Sequence, residues 1–201
     1  MNVLDYSSLF MLDRRAQILE AARKLLRHYG AQKTTMADIA RESDVAVGTL
    51  YLEFPSKENI LEELSRQQHE EVLSRMRSAK QRASGSPSRA FVLVMTARTE
   101  AFFKVKQASQ HGCELFHCKV EGVRTAGASF REEERAFLEV LVGEGKAASE
   151  FKGSLDAGRV SELVQRSFAS LSPPWVFELE ERRATSIAEA LAELLLSGLG
   201  R

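Results

Sequence analysis

Three features of the sequence predict an all-α chain with a small N-terminal helical head and a larger helical second domain. Apolar residues recur at i, i+3, i+4 and i+7 through segment after segment, the spacing of amphipathic helices. Helix breakers separate those segments: Gly30, Ser43-Asp44, Pro55, the run Ser84-Gly85-Ser86-Pro87, His111-Gly112, Gly153-Ser154 and Pro173-Pro174. Residues 34–57 compress two short helical patterns, a tight turn and the start of a third helix into one stretch. A length of 201 residues suits one or two domains with a real core, and the division is placed at 1–55 and 56–201.

The first helix is expected over 13–29. Ile18, Ala22, Leu25, Leu26 and Tyr29 lie at i, i+4, i+7, i+8 and i+11, an inward stripe that Gly30 terminates. Arg14, Arg15, Arg23, Lys24 and Arg27 occupy the outer face. They read either as a solvated helix face or as cations close to phosphate.

Thr35-Met36-Ala37-Asp38 has the form of a capping box, in which the Thr35 hydroxyl and the Asp38 carboxylate satisfy first-turn N–H groups reciprocally. Met36, Ile39 and Ala40 follow as one buried stripe. Ser43-Asp44 ends this helix, and Val45 plugs the gap before the next. In Gly48-Thr49-Leu50-Tyr51, Leu50 turns inward and leaves Val47, Gly48, Thr49 and Tyr51 facing out. Pro55 stops that helix, and Ser56 caps a third ahead of Lys57 and Glu58. A helix whose outer face carries small residues is what the major groove admits, because no bulky side chain holds it off the bases.

These residues carry a resemblance. Ile39-Ala40, Val45, Gly48-Thr49-Leu50-Tyr51, Phe54 and Ser56-Lys57-Glu58 resemble the DNA-binding signature of the TetR family of bacterial transcriptional regulators. The preceding helix, from Ile18-Leu19-Glu20-Ala21-Ala22 through Gly30, is similar too, so the match spans residues 14–62. It implies a three-helix, helix-turn-helix DNA-binding domain over 1–55 and an effector-binding, dimerising domain over 56–201. The implied function is a repressor, acting as a homodimer, that leaves a duplex operator when a small molecule enters the second domain. The recognition helix, 46–52, would place Val47 on a thymine methyl, Gly48 against the groove floor and Thr49 on a base edge or phosphate. Thr35, Tyr51 and Lys57 would hold phosphates.

Three positions depart from the family pattern. Asp44 stands where Gly is usual in the turn, although Asp tolerates a left-handed backbone better than most residues. Ala46 replaces the usual Ser, which forfeits a cap of about 1 kcal/mol. Glu53 stands where Tyr or His is frequent, and a carboxylate there is repelled by phosphate. With the neutral overall charge, these keep a competing class open: a helical ligand-binding or interaction protein that has lost DNA binding.

A long helix is expected over 56–82, apolar at Ile60, Leu61 and Leu64, polar from Arg66 to Glu71, then apolar again at Val72, Leu73 and Met76. The 84–87 run reads as a linker. Phe91, Val94, Met95, Phe102 and Val105 form the next stripe, with Arg98 on the same face. A short segment from Cys113 to Val123 precedes Gly127. A helix is expected over 129–151 with Phe130, Phe137, Val140, Leu141, Ala148 and Phe151 inward. The last two helices, 156–171 and 177–197, carry Val160, Leu163, Val164, Phe168 and Leu171, then Ile187, Ala190, Leu191, Leu194 and Leu195. They are expected to form a hairpin that pairs with its twin as a four-helix bundle.

The formal net charge is zero, yet from Arg14 to Lys57 eight Lys/Arg face five Asp/Glu. The head is therefore mildly basic, and acid concentrates in Glu132-Glu133-Glu134 and from Glu178 to Glu181. The two cysteines suit no secreted disulfide scaffold. Residues 1–12 lack a basic n-region, and no apolar run has the ~18 residues that span a membrane. A cytoplasmic location is expected.

No catalytic motif is present, and neither enzymatic activity nor a cofactor is expected. His111, Cys113, His117 and Cys118 form the one cluster with metal-ligand chemistry. Cys113 and His117 stand one helical turn apart, but Cys118 lies about 140° around from Cys113, so structural cysteines beside surface histidines are preferred to a metal site. Arg98 in an apolar stripe must be paired or hydrogen-bonded. Its expected partners are Glu100, Glu114, a glutamate of the 129–151 helix, or an acidic ligand. Met95, Arg98, Phe102, Phe116 and Phe137 are the candidate pocket, with Phe103 nearby, and the apolar members read equally as a filled core.

Overall fold

The computed structural model of the protein describes residues 6–108, 111–116, 119–152, 154 and 156–199. Among them are eight α-helices: α1 (Tyr6–Lys33), α2 (Met36–Glu42), α3 (Val47–Glu53), α4 (Lys57–Arg82), α5 (Pro87–Ala108), α6 (Glu121–Ala147), α7 (Ala157–Ser167) and α8 (Glu181–Leu199). Short 3₁₀ turns occupy Gly112–Leu115, Ala169–Leu171 and Trp175–Glu178. The all-α expectation is met.

Two cores divide the molecule. In the head, Ile18, Ala22 and Leu26 of α1 pack on Ile39 and Ala40 of α2, Leu50 of α3, and Phe54. That core runs past residue 55, because Ile60, Leu61 and Leu64 of α4, together with Leu115 and Val123, complete it. The larger core gathers Met76 of α4, Phe91, Val94, Met95 and Phe102 of α5, Leu138 and Leu141 of α6, Val164 of α7 and an alanine stripe of α8. α4 therefore belongs to both cores. Its first turns sit in the head and its later turns in the second domain.

Several elements depart from the sequence expectation. α1 begins before residue 13, and Gly30, at φ 75° and ψ 169°, interrupts it as the glycine predicts. Tyr29 is exposed rather than inward. The 84–87 run is a tight turn between α4 and α5, which pack along each other, with Ser84 and Gly85 at positive φ. α6 starts at Glu121 rather than 129 and passes through Gly127 without a break. A glycine inside a helix costs about 1 kcal/mol, which burial of Val123, Ala126 and Phe130 on the same helix outweighs. Its end also comes early, at Ala147. Phe151 then returns from a turn onto Gly145, where a Cβ would stand 2.1 Å from the ring. Val140 and Ala148 are exposed.

The closing helices are not a self-packed hairpin. α7 packs chiefly on α6 and α8 chiefly on α5. Periodicity located both helices, but the Ala184, Ala188 and Ala192 stripe, which lets α8 approach α5 closely, was overshadowed by the leucines. No helix among the described residues is long and apolar enough to cross a membrane.

Candidate DNA-reading face and effector cavity

The head is built as its local chemistry dictates. The Thr35 hydroxyl accepts from the Asp38 N–H at 3.2 Å, and Asp38 Oδ2 accepts from the Thr35 N–H at 3.2 Å, so the capping box is complete. Donation from the Thr35 hydroxyl, then from the Thr35 N–H, holds the Asp38 carboxyl below the usual carboxylate range. The Thr35 hydroxyl also donates to Asp38 Oδ2 at 2.6 Å, which commits its proton within the box. Asp44 takes φ 52° in the turn, and Val45 N–H donates to Ala40 O at 3.0 Å. Gln17 Nε2 reaches across from α1 to Ser43 O at 2.7 Å and locks α1 against the turn.

On α3, Leu50 is fully buried, while Val47 and Tyr51 are each about half exposed and Gly48 faces open space. Thr49 is partly exposed, and Ala46 makes no side-chain cap. Leu52, which sequence reasoning passed over, is 87% exposed. Its exposure was readable only from the helix phase fixed by Leu50.

Two head residues sit differently from expectation. Glu53 does not stand free on the outer face: its side chain is buried against Arg14 at 3.8 Å and Arg15 at 3.9 Å. Arg15 also donates to Glu53 O at 2.7 Å and lies over the Phe54 ring. Glu53 thus anchors the end of α3 to α1. Lys57 does not project freely, because its ammonium donates to Ala31 O at 2.8 Å and Thr34 O at 3.0 Å. It satisfies carbonyls left open where α1 ends.

In the second domain, a cavity of about 280 Å³ lies between α4, α5, α6 and the segment after α7. Arg98 is buried in its wall, paired with Glu134 of α6. The guanidinium also donates to Ser172 Oγ at 2.8 Å and Leu171 O at 3.4 Å and stacks over Phe102. Glu134 Oε2 accepts from Gln165 Nε2 at 2.7 Å. Of the expected pocket residues, Arg98, Phe102 and Phe116 line this cavity. Met95 is solid core, and Phe137 packs elsewhere, under the Lys80 ammonium. On α6, Phe130 and Glu134 face the cavity in place of Phe137.

His69 of α4 was missed because it sits in the stretch that reads as polar. It is 6% exposed, stacks on Phe130 and meets Phe116 edge-on. Burial pushes its pKa down to about 4, and the charge of Arg131 adds to the effect. Arg131 stands at the mouth and also lines two surface grooves of about 450 and 730 Å³ that adjoin the cavity.

The sequence model "Bacterial regulatory proteins, tetR family" matches residues 18–64, the stretch just described as the head. The head is a TetR-family DNA-binding domain. The chain is a DNA-binding transcriptional regulator of this type. Over 193 residues it is 24% identical to the fatty acid metabolism regulator protein of Bacillus subtilis, covering 91% of this chain and 94% of that protein. Over 71 residues it is 39% identical to the transcriptional repressor KstR of Rhodococcus jostii, covering 35% of this chain and 34% of that one. Its fold matches the crystal structure of FadR from Bacillus subtilis in complex with stearoyl-CoA, with TM-score 0.70 and 21% identity, over 92% of this chain and 98% of that one.

Head and second domain meet at the turn after α5. Glu114 Oε2 accepts from the Ala31 N–H at 2.6 Å, and Glu114 Oε1 lies 2.8 Å from His111 Nδ1. Ser65 Oγ of α4 donates to Leu115 O at 2.6 Å. Nearby, Gly122 brings α6 onto the start of α4, where a Cβ would stand 2.7 Å from Glu58 O. Cys113 is a free, partly buried thiol, and no cluster of three metal-ligating side chains occurs among the described residues. His117 and Cys118 lie outside them.

Proposed function

We propose that this regulator is a homodimeric repressor, released from its operator when an acyl thioester enters the cavity between α4, α5 and α6. The observation that carries the reading is the double membership of α4. His69 of α4 is cavity wall, while Ile60, Leu61 and Leu64 of the same helix are head core. A ligand that moves the wall tilts the head. Two heads must reach successive major grooves about 34–36 Å apart, and a coupling of about 1–3 kcal/mol is typical for release.

The thioester class is supported by the acyl-CoA in the FadR complex and by the cavity's own chemistry. Aromatic walls suit an acyl chain, and Arg131 at the mouth suits phosphate. The cavity is at the small end of ligand pockets, which run about 300–1,000 Å³, so a short or medium chain is proposed. Val47, Gly48 and Thr49 would meet base edges, joined by Leu52; Tyr51 and Thr35 would meet the sugar-phosphate backbone. Lys57 would hold the α1 end that presents Thr35, rather than reach phosphate itself. In this reading residues 1–55 are the DNA-binding domain and 56–201 the effector half. The dimer face would be the exposed side of α8, where Ile187 and Leu194 are bare, with Leu163 of α7.

The test is selection of bound sequences from a random duplex library, then a salt titration of the winner with and without acyl-CoA. A palindromic site, a steep negative salt slope and release by the thioester are expected. No enriched site, or binding indifferent to salt, would sink the operator reading.

A further inference from the structure

The cavity wall holds a buried side chain with hydrogen-bonding capacity that the described residues do not use, His69. Arg98, Glu134, Gln165 and Ser172 satisfy one another. His69 is different. Its Nδ1 lies 2.9 Å from Ser65 O, and a carbonyl oxygen only accepts, so Nδ1 carries the ring proton. Burial keeps the imidazole neutral at ordinary pH. Nε2 is then a bare acceptor, and no donor among the described residues reaches it.

The ring cannot turn to find one. Phe130 stacks on it with centroids 4.7 Å apart, and Phe116 closes the other side at 4.9 Å. The Ser65 hydroxyl is committed to Leu115 O. The Cε1 edge, which carries Nε2, faces Gly127: Cε1 lies 3.9 Å from where a Cβ on that residue would stand. Gly127 is itself cavity wall, and the missing side chain leaves this edge facing the cavity beside Arg131, whose Nη1 lies 3.5 Å from the same point.

We propose that His69 Nε2 reads a hydroxyl group on the effector, which is therefore a hydroxyacyl thioester rather than a plain or oxo-acyl one. This rests on the effector reading above. A buried acceptor rewards a ligand O–H, gains nothing from a methylene, and repels a ketone or carboxylate oxygen placed against it. Phe102, Phe116 and Phe130 take the chain on either side of that hydroxyl.

The experiment is calorimetric titration of the full-length protein with medium-chain acyl-CoA thioesters. Each saturated compound is compared with its 3-oxo counterpart and with counterparts hydroxylated at carbon 2, carbon 3 or the chain end. At one hydroxyl position, binding about tenfold tighter than the saturated compound is expected, with the oxo compound weakest. In His69→Phe, which keeps the aromatic stack without the acceptor, the hydroxyl preference disappears. In His69→Gln, which keeps an acceptor at similar reach, part of it returns. Equal binding of hydroxylated and saturated thioesters by the parent protein overturns the inference and leaves the effector reading standing. A preference unchanged in His69→Phe also overturns it. If no thioester binds at all, the effector reading falls, and this inference with it.

Discussion

Glu114 accepts the backbone N–H of Ala31 at 2.6 Å, a contact between residues 83 apart that ties the turn after α5 to the broken end of α1. The break makes the bond necessary. Gly30 leaves helical geometry, so the Ala31 N–H loses its helical partner and takes a carboxylate from the other domain. Leu115 follows in the head core, and Phe116 follows in the cavity wall. Three consecutive residues thus span the distance from cavity to head.

Glu114→Gln is expected to lower stability by about 1–2 kcal/mol, because a charge-assisted bond becomes a neutral one and Glu114 is only partly buried. Gly30→Ala should cost more. It forces a positive φ and places a Cβ 2.9 Å from both Glu114 Oε1 and His111 Nδ1. Urea midpoints check both. Since the contact joins cavity to head, Glu114→Gln should also weaken the effector's influence on operator affinity, read as a smaller shift in Kd on adding ligand. A variant with parental stability and full ligand response would remove Glu114 from the coupling.

Gly48→Leu tests the groove placement cleanly, because nothing lies within 4 Å of the Cβ it adds. Helicity by circular dichroism and the oligomeric state should be unchanged. Specific operator binding should fall by about a hundredfold or more, since a branched side chain holds α3 off the base edges. Parental affinity would mean that this face does not enter the groove.

Much of the head was legible in the sequence, because its signals are local. A capping box, an Asp that tolerates positive φ and a single inward Leu50 each act within a few residues. The fate of the charges was not legible. Glu53 and Lys57 look like groove-facing groups until the fold brings Arg14 and Arg15 to one, and the α1 carbonyls to the other. In the second domain, Arg98 demanded a partner and found it in Glu134 on the expected helix. His69 was hidden because a buried polar residue amid Arg66–Glu71 breaks the periodicity that marks a core.

The Arg98–Glu134 pair is nearly fully buried, so its members should be strongly non-additive. Arg98→Met strands the carboxylate and is expected to cost about 3–5 kcal/mol. Arg98→Met combined with Glu134→Leu removes both charges and should recover most of that loss. Chemical denaturation of the three proteins makes the comparison. A double variant less stable than Arg98→Met would show that the pair holds α5 and α6 by more than charge balance.

Leu194 is 67% exposed on α8, and Ile187, Leu191 and Leu194 stand at i, i+4 and i+7 on that helix. Leu163 of α7 is also bare. If this face is the dimer interface, Leu194→Arg places a charge against its own symmetry mate and should yield monomer by sedimentation velocity. Operator binding should then weaken steeply, because one head loses the avidity of two. A dimer that survives Leu194→Arg and Leu163→Arg together would move the interface elsewhere.

His69 makes stability depend on pH, with a definite sign. Its folded pKa is about 4 against an ordinary 6.5, so between these values the unfolded chain binds a proton that the folded chain refuses. Stability is full above the ordinary value and falls with pH by about 1.4 kcal/mol per unit through that window. His69→Phe lacks this contribution. Its urea midpoint should lie below the parent's near neutrality, since the bond to Ser65 O is lost, and the gap should narrow as the solution is acidified toward the folded pKa. Parallel curves for the two proteins across that range would mean that His69 titrates normally in the folded state. The ring would then be neutral, with Nε2 a bare acceptor, only above about pH 6.5.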